Sequence, residues 1–193
     1  MQLMARTAAN TTTVGPSEFL VPTAWGEARI TAHGPHVTGV RPPMPADGRA
    51  RTSAPLSDAR GDDAPPAVRA LAEAMVAYLD GELVELADRH DVERWLDAAG
   101  VTGFRRDVSL ALFDVPRGVT LSYGELAALA GRPGAARAAG TTGARNPLPI
   151  VIPCHRVVHA GARRGNVGSY GAATGTEYKR RLLELEDAPL VRR

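Results

Sequence analysis

A chain of 193 residues with 44% hydrophobic and 23% charged side chains has the composition of a soluble globular protein, long enough for one domain or two small ones. Its single cysteine excludes an internal disulfide and any zinc site that is built on several thiolates. No apolar run has the length of a signal-peptide core or approaches the roughly 20 residues of a membrane span, so we expect a cytoplasmic protein.

Charge is distributed unevenly along the chain, although the net charge is only +2. Residues 1–100 carry 9 Arg against 14 Asp and Glu, a balance of −5, whereas residues 101–193 carry 14 basic against 7 acidic side chains, a balance of +7. The second half is therefore the better candidate for contact with an anionic partner such as nucleic acid.

The first half predicts a small sheet and one helix. Residues 1–17 are polar and rich in Thr, and we expect them to be disordered. The segments ARITA and HVTGV are predicted strands that a Gly-Pro turn joins into a hairpin. Residues 41–66 concentrate Pro, Gly, Asp and Arg without apolar periodicity, which is typical of a long loop. A helix follows over residues 67–80, where apolar side chains recur at helical spacing, namely Val68, Leu71, Met75, Tyr78 and Leu79.

The second half begins as a helical region. The segment DVSLALFDV predicts a core helix that ends at Pro116 and Gly118. Ser122 and Glu125 then have the spacing of a capping box, which predicts a helix that begins at Tyr123.

A second short helix is predicted after a turn rich in glycine. The segment AARAA restarts the helical pattern, with Pro133 in its first turn. Two short helices across a tight turn form a candidate helix-turn-helix, although most such pairs are simply part of a core.

The cysteine lies in the segment PIVIPCHRVV as Cys154, directly before His155 and Arg156. Three prolines stiffen this segment and lack the backbone donor that a central strand needs, which favours a rigid presentation of the thiol outside a sheet; they are Pro147, Pro149 and Pro153. Such a residue can also be a small hydrophobe buried in the core. A metal ligand pair with His159 nearby and a Cys-His hydrolase are two further interpretations.

The continuous run SYGELAALAGRPGAARAAGTTGARNPLPIVIPCHRVV resembles the O6-alkylguanine-DNA alkyltransferases, also called methylated-DNA:protein-cysteine methyltransferases. The Ala-Arg137-Ala helix, Asn146-Pro147 and the Pro-Cys-His-Arg segment stand in the family's order and close to its spacing. The resemblance extends into VPRG before the run and KRRLLELE after it, and it weakens over the first 100 residues. Linked motifs in one order are more specific than any one of them.

This resemblance implies an enzyme whose Cys154 takes the alkyl group from guanine O6 by a direct displacement that leaves a thioether. His155, acting through a water, and Glu186 would form the relay that removes the thiol proton. Asn146 would hold the turn that shapes the pocket. Because ordinary reductants do not reverse a thioether, each molecule would act once. The resemblance implies no cofactor and no metal.

The resemblance also implies double-stranded DNA that contains O6-alkylguanine as the partner, with the guanine flipped out of the stack. Tyr123 would lie near the phosphate and the flipped base, and Arg137 would fill the gap from the minor groove. Ser122 and Arg156 are further candidates for DNA contact. The candidate pocket residues are Pro149, Val157, Ser169 and Tyr170. We expect a monomer, and cooperative binding on DNA stays open.

Two segments depart from the family's pattern. The loop over residues 159–178 is several residues longer and carries Arg163 and Arg164, which leaves the preferred size of the alkyl group open. In the helix FRRDVSLAL, Arg105 and Ser109 stand where Gln and Trp are common, and the lost aromatic ring would weaken the packing beneath the site.

We therefore predict an α+β protein with two domains. Residues 18–90 would form a small N-terminal sheet domain. Residues 91–187 would form a mostly helical C-terminal domain with a winged-helix-like helix-turn-helix, followed by a tail at 188–193. Two other functions stay open. One is a non-enzymatic, alkyltransferase-like protein that binds the alkyl lesion and recruits other repair factors; in such relatives another residue, commonly Trp, replaces the acceptor Cys. The other is a structural or regulatory DNA-binding module. The presence of Cys154 favours the enzyme over the lesion binder.

Overall fold

A four-stranded sheet forms the first part of the structure, in the strand order β3-β2-β1-β4. The computed structural model describes residues 15–44, 57–160, 167–168 and 175–188. The strands of this sheet are β1 (Ser17–Thr23), β2 (Gly26–His33), β3 (His36–Met44) and β4 (Ser57–Asp58). The predicted hairpin is confirmed, because β2 and β3 pair antiparallel with His33 opposite His36. Gly34 has a φ of 58° in that turn, a conformation that glycine adopts without steric conflict.

β1 is a strand that the sequence analysis missed. It pairs antiparallel with β2, and its side chains Phe19 and Val21 are buried. Pro22 weakens the strand signal, because proline has no N–H for a strand ladder. In the structure β4 pairs with β1 only at Phe19 and Leu20. The pairing of these two strands therefore needs no N–H from Pro22.

Two predicted boundaries in the first half differ from the structure. Ser17 begins β1, so the segment predicted as disordered does not extend to it. β3 continues to Met44 and β4 pairs with β1, so strand interrupts the predicted loop over 41–66. The remainder of both predicted segments, residues 1–14 and 45–56, lies outside the described part of the chain.

Six α-helices follow the sheet in the described part of the chain: α1 (Pro66–Leu79), α2 (Arg89–Ala98), α3 (Gly103–Phe113), α4 (Tyr123–Leu129), α5 (Ala136–Ala144) and α6 (Gly175–Leu185). α1 confirms the helix predicted over residues 67–80, and all five of its predicted apolar side chains are buried. One cluster of buried apolar side chains includes members from β1, β2, β3 and all six of these helices. The predicted domain boundary at residues 90 and 91 falls inside α2, and the division into two domains stays a prediction. Among the described residues, no helix is long and apolar enough to cross a membrane.

α4 begins at Tyr123, as the capping box predicts. Ser122 Oγ accepts the Glu125 backbone N–H at 3.3 Å, and Glu125 Oε2 accepts the Ser122 backbone N–H at 2.6 Å. The two residues thereby satisfy two backbone donors that an uncapped helix would leave without an acceptor.

α5 starts later than the sequence predicts. The prediction that Pro133 lies in its first turn is wrong, because α5 begins at Ala136. Gly134 has a φ of 91°, which no right-handed helix includes, and it separates Pro133 from the helix. The turn between α4 and α5 is therefore longer than a tight helix-turn-helix connection.

Ser122→Ala is expected to lower the free energy of unfolding by about 1 kcal/mol, because the Glu125 N–H loses its acceptor. Urea unfolding followed by circular dichroism measures this loss. Ser122→Thr keeps a hydroxyl acceptor and is the matched control. An equal loss in both variants would show that packing at Ser122, and not the cap, stabilises the start of α4.

Candidate active site

Cys154 lies at the start of a single turn of 3-10 helix that spans Cys154–Arg156, and its side chain is partly exposed. The chain reverses direction just before it, where the Ile152 N–H donates to Leu148 O at 2.8 Å. Ile150 has a φ of 76° within this reversal, an uncommon and strained conformation for a β-branched residue. The predicted presentation of the thiol outside a sheet is confirmed.

Asn146 holds this reversal with both ends of its amide. Its Nδ2 donates to Ile152 O at 2.7 Å, and its Oδ1 accepts the Leu148 N–H at 3.0 Å. The same Nδ2 donates to Cys154 Sγ at 3.2 Å. A hydrogen bond that an amide donates to sulfur favours the thiolate over the thiol. These contacts support the predicted role of Asn146 in shaping the turn, and they add a direct contact with the sulfur.

His155 and Glu186 form a buried pair behind the thiol. His155 has no exposed surface, and its Nε2 lies 3.0 Å from Glu186 Oε1. Burial lowers the pKa of His155, although the carboxylate of Glu186 opposes that shift. Burial alone would raise the pKa of Glu186, but hydrogen bonds from His155 and Arg156 hold this pKa well below its usual range. At neutral pH a neutral imidazole therefore donates its Nε2 proton to an ionised carboxylate.

The other nitrogen of the same ring is then the proton acceptor. His155 Nδ1 is buried, and it has no hydrogen-bond partner among the described residues. In the tautomer that donates from Nε2, Nδ1 carries the lone pair. The structure thus supplies a base one residue after the thiol, oriented from behind by a carboxylate.

Arg156 points into the protein. Its Nε and Nη2 donate to the two oxygens of Glu186 at 2.8 and 2.7 Å, and its Nη1 donates to Val115 O. This fork-on-fork geometry engages both carboxylate oxygens. The predicted contact between Arg156 and DNA has no support in these bonds, because all three nitrogens of the guanidinium have acceptors inside the protein.

Lys179 is a residue of the site that the sequence analysis did not propose. It is the only lysine in the chain, it is 1% exposed, and its Nζ donates to Val157 O at 2.6 Å. Burial lowers the pKa of Lys179 to about 8, while the charge of Cys154 acts in the opposite direction. The single lysine among many arginines was the available signal, and it is a weak one.

Tyr123 and Arg137 lie on the helix pair beside the thiol turn. Tyr123 is half-buried at the start of α4, and its ring stands edge-on to His159 with 5.5 Å between the ring centroids. Burial and the charge of Cys154 raise the pKa of Tyr123, so its hydroxyl keeps its proton at neutral pH. Arg137 is exposed on the first turn of α5. α5 passes close to the sulfur, because a Cβ on Gly143 would stand 3.9 Å from Cys154 Cβ.

The remaining predicted residues lie in different surroundings. Pro149 and Val157 are buried within or next to the thiol turn, whereas the hydroxyl of Ser122 contacts Glu125 in the helix cap. Ser109 is buried in α3, where its hydroxyl donates to the carbonyl of Arg105 at 2.8 Å. The predicted pocket residues Ser169 and Tyr170 lie outside the described residues, as do Arg163 and Arg164 of the long loop.

Known proteins share this fold, and one family model spans the thiol turn. The family model described as the DNA-binding domain of 6-O-methylguanine DNA methyltransferase matches residues 103–188. The methylated-DNA--protein-cysteine methyltransferase of Mycobacterium tuberculosis is 45% identical over 122 residues, which are 63% of this chain and 67% of that protein. Its counterpart in Methanothermobacter thermautotrophicus is 41% identical over 130 residues, 67% of each chain. The crystal structure of Mycobacterium tuberculosis OGT in complex with DNA matches at a TM-score of 0.63 and 32% identity, and covers 90% of this chain and 96% of that one.

The α+β fold of sheet, helices and thiol turn is the fold of DNA alkyltransferases, which confirms the predicted fold class. On the identity and coverage of these relatives, the chain belongs to the methylated-DNA–protein-cysteine methyltransferase family. The predictions of an enzyme of this family, of DNA as its partner and of DNA repair by alkyl transfer are confirmed at that level. The roles of the individual residues stay predictions.

Proposed function

We propose that this protein repairs O6-alkylguanine in double-stranded DNA by transferring the alkyl group to Cys154 in one irreversible step. One observation carries the proposal: Asn146 Nδ2 contacts the sulfur, while His155 turns Nε2 to Glu186 and leaves Nδ1 as the acceptor. A cysteine that only fills space in a core would need neither a donor at sulfur nor a carboxylate that orients the neighbouring imidazole.

Activation of the thiol comes first. A thiol with an ordinary pKa of about 8.5 is mostly protonated at neutral pH, and the thiolate is the nucleophile. The Cys154 proton passes through a water to Nδ1 of His155, because adjacent residues of the turn do not place the two groups in direct contact. Glu186 stabilises the imidazolium that forms, and Asn146 stabilises the thiolate.

Displacement follows at the alkyl carbon. A bond forms between Cys154 Sγ and this carbon as the bond from carbon to guanine O6 breaks, and the electron pair of that bond leaves with the base. Tyr123 keeps its proton and is a hydrogen-bond donor for the departing guanine. The thioether is not reversed by ordinary reductants, so each molecule acts once. Every atom that is transferred comes from DNA or from Cys154, and the reaction as written uses no cofactor.

The guanine reaches the sulfur by flipping out of the duplex, because its O6 edge is inaccessible inside the stack. Arg137, exposed at the start of α5, enters from the minor groove and fills the gap. The balance of +7 over residues 101–193 supports binding to phosphates, which is independent of sequence and sensitive to salt. We propose that one molecule acts as a monomer on one lesion.

Mass spectrometry tests the proposal directly. The full-length protein is incubated with excess duplex that carries one O6-methylguanine, beside an unmodified duplex, and is then digested. We expect one added methyl group per molecule, located on Cys154 and absent from the control. Unmodified protein that still binds the lesion duplex in a gel shift would contradict transfer and indicate a lesion-binding module.

Two variants separate chemistry from DNA binding. Cys154→Ala is expected to abolish methyl transfer and to retain binding to the lesion duplex. Arg137→Ala is expected to weaken both the binding of that duplex and the rate of transfer, because extrusion of the base loses its support. Arg94→Ala, on α2 in the acidic half, is the matched control for loss of one exposed arginine. An equal loss of binding in Arg94→Ala would contradict the role of Arg137.

A further inference from the structure

Glu186 receives a hydrogen bond from the first half of the chain. Tyr78 lies near the end of α1 and is 3% exposed, and its hydroxyl donates to Glu186 Oε1 at 2.6 Å. The two residues are 108 positions apart in the sequence. The oxygen that accepts this bond is the same one that lies 3.0 Å from His155 Nε2. A side chain of α1 therefore contacts the centre of the proposed relay.

Arg117 braces Tyr78 and Glu186 together. Its guanidinium lies over the ring of Tyr78, 5.3 Å from the centroid. Nη2 donates to the carbonyl of Leu185, the residue directly before Glu186, at 2.6 Å. Nη1 donates to the carbonyl of Glu82, just after α1, at 3.2 Å. One side chain thus holds the end of α1 and the end of α6 in one arrangement.

The donors to Glu186 come from two separate parts of the fold. Arg156 engages both carboxylate oxygens from the thiol turn, where His155 also lies. Among the described donors to Glu186, Tyr78 alone comes from outside that turn. Burial and then the charge of Glu186 raise the pKa of Tyr78, so the phenol keeps its proton and always donates. The bond from Tyr78 therefore fixes the carboxylate relative to the sheet and α1, which Arg156 cannot do.

We propose that Tyr78 is a positioning residue for alkyl transfer, whose hydroxyl holds Glu186 against His155 and so couples the first half of the chain to the activation of Cys154. This inference rests on the relay of the proposed function. The imidazole keeps its orientation only while Oε1 stays opposite Nε2, and small misplacements of a catalytic group reduce rates strongly. The first half of the chain, although it is acidic, thereby contributes an uncharged hydrogen-bond donor to alkyl transfer.

The test removes the hydroxyl and keeps the ring. Tyr78→Phe is compared with the wild type in two reactions of the full-length protein: methyl transfer from an O6-methylguanine duplex, and alkylation of Cys154 by iodoacetamide without DNA. Both rates are measured from about pH 6 to 9. We expect Tyr78→Phe to be roughly tenfold slower at neutral pH in both reactions. The pH at which Cys154 becomes half-reactive should rise. Loosened packing alone would not move that pH.

Tyr178→Phe is the matched control, because Tyr178 is also a buried tyrosine and its ring packs on Trp25. We expect it to keep both rates and the pH profile. The double variant Tyr78→Phe/Glu186→Gln tests whether Tyr78 acts through Glu186: it should react at the rate of Glu186→Gln alone.

The outcomes distinguish this inference from the function on which it rests. Wild-type rates and an unchanged pH profile in Tyr78→Phe would overturn the role of Tyr78, while methyl transfer by the wild type still upheld the proposed function. The role of Tyr78 would also be overturned if adding Tyr78→Phe to Glu186→Gln slowed the reaction by as large a factor as Tyr78→Phe does alone. A wild type that transfers no methyl group would overturn the proposed function, and the iodoacetamide profile would still decide whether Tyr78 tunes Cys154.

Discussion

Glu186→Gln is expected to lower the rate of methyl transfer to Cys154 by a factor on the order of 10³. The amide of Gln can turn its NH2 group toward His155 Nε2, and that nitrogen must then accept a hydrogen bond instead of donating one. The ring proton moves to Nδ1, which can no longer take the proton of the thiol. An imidazolium formed in this variant would also lack its counter-charge. Single-turnover transfer from a labelled O6-methylguanine duplex measures the rate.

Glu184→Gln is the matched control, because Glu184 lies in the last turn of α6, two residues before Glu186, and its side chain is exposed. It is expected to transfer at the wild-type rate. If Glu186→Gln were also within a few-fold of the wild type, the buried pair would stabilise the fold without taking part in the reaction.

The free energy of unfolding also depends on the carboxylate of Glu186, and it can be measured without DNA. Glu186→Gln leaves the largely buried guanidinium of Arg156 without its counter-charge, and such a loss costs about 3 kcal/mol. Because the pKa of Glu186 is lower in the folded than in the unfolded chain, its ionisation stabilises the folded protein above about pH 4.3. That contribution is lost as the pH falls toward the folded pKa. Urea unfolding of the wild type should therefore become easier in acid, and Glu186→Gln should lack this part of the dependence.

His155 adds to the acid sensitivity in the same direction. Its pKa is lower in the folded chain than in the unfolded one, so the unfolded chain binds the proton first as the pH falls below about 6.5. The wild type is thus expected to lose stability first through His155 and, at lower pH, through Glu186. A wild type of constant stability between about pH 7 and 4 would contradict the shift of His155, and one whose stability stayed constant below about pH 4 would contradict the shift of Glu186.

Features with a local cause were predictable from the sequence. The start of α4 follows from two side chains three residues apart, and α1 follows from apolar side chains at helical spacing. α2 was missed, although Asp88 caps it by accepting the Asp91 N–H at 2.7 Å. Its sequence RHDVERWLDA is mostly polar and buries only three side chains. That these three belong to the core is evident only once the strands on which they pack are known.

In the site, too, some features could be predicted from a local motif, whereas others depend on contacts between distant positions of the chain. The resemblance supplied Cys154, His155, Asn146 and Glu186, and the structure brings these four side chains together. It could not supply the inward direction of Arg156, the buried amine of Lys179 or the bond from Tyr78. These contacts join positions that are 30, 22 and 108 residues apart, respectively, so no local pattern encodes them.

Lys179→Met is expected to slow methyl transfer roughly tenfold without destabilising the protein. The charge of Cys154 raises the pKa of Lys179, and Coulomb attraction acts equally on both partners. The ammonium group therefore favours the thiolate. With a pKa of about 8, Lys179 is mostly protonated at neutral pH and supplies this positive charge inside the protein. Single-turnover transfer and iodoacetamide alkylation measure the loss.

The stability of Lys179→Met follows from two opposing terms. Lowering the pKa of the amine from its ordinary value to about 8 corresponds to roughly 3 kcal/mol of unfavourable burial at neutral pH. Met removes that cost and keeps an unbranched chain, but it leaves the carbonyl of Val157 without its donor, at a cost of about 1–3 kcal/mol. The unfolding free energy should therefore stay level or rise slightly.

The pH dependence distinguishes this balance from a simple loss of contacts. Between about pH 8 and 10 the unfolded chain holds a proton on Lys179 that the folded chain has released, so the wild type gains stability as the pH rises through this range. Lys179→Met should lack this gain in stability.

Arg180→Met is the matched control, because it changes the next position on α6 and removes a surface charge that pairs with Glu177. It should leave both the transfer rate and the stability near those of the wild type. A Lys179→Met protein that transfers methyl at the wild-type rate would show that the ammonium serves the fold alone. A slower and equally stable one would show that the protein keeps an unfavourable buried charge because Cys154 needs it.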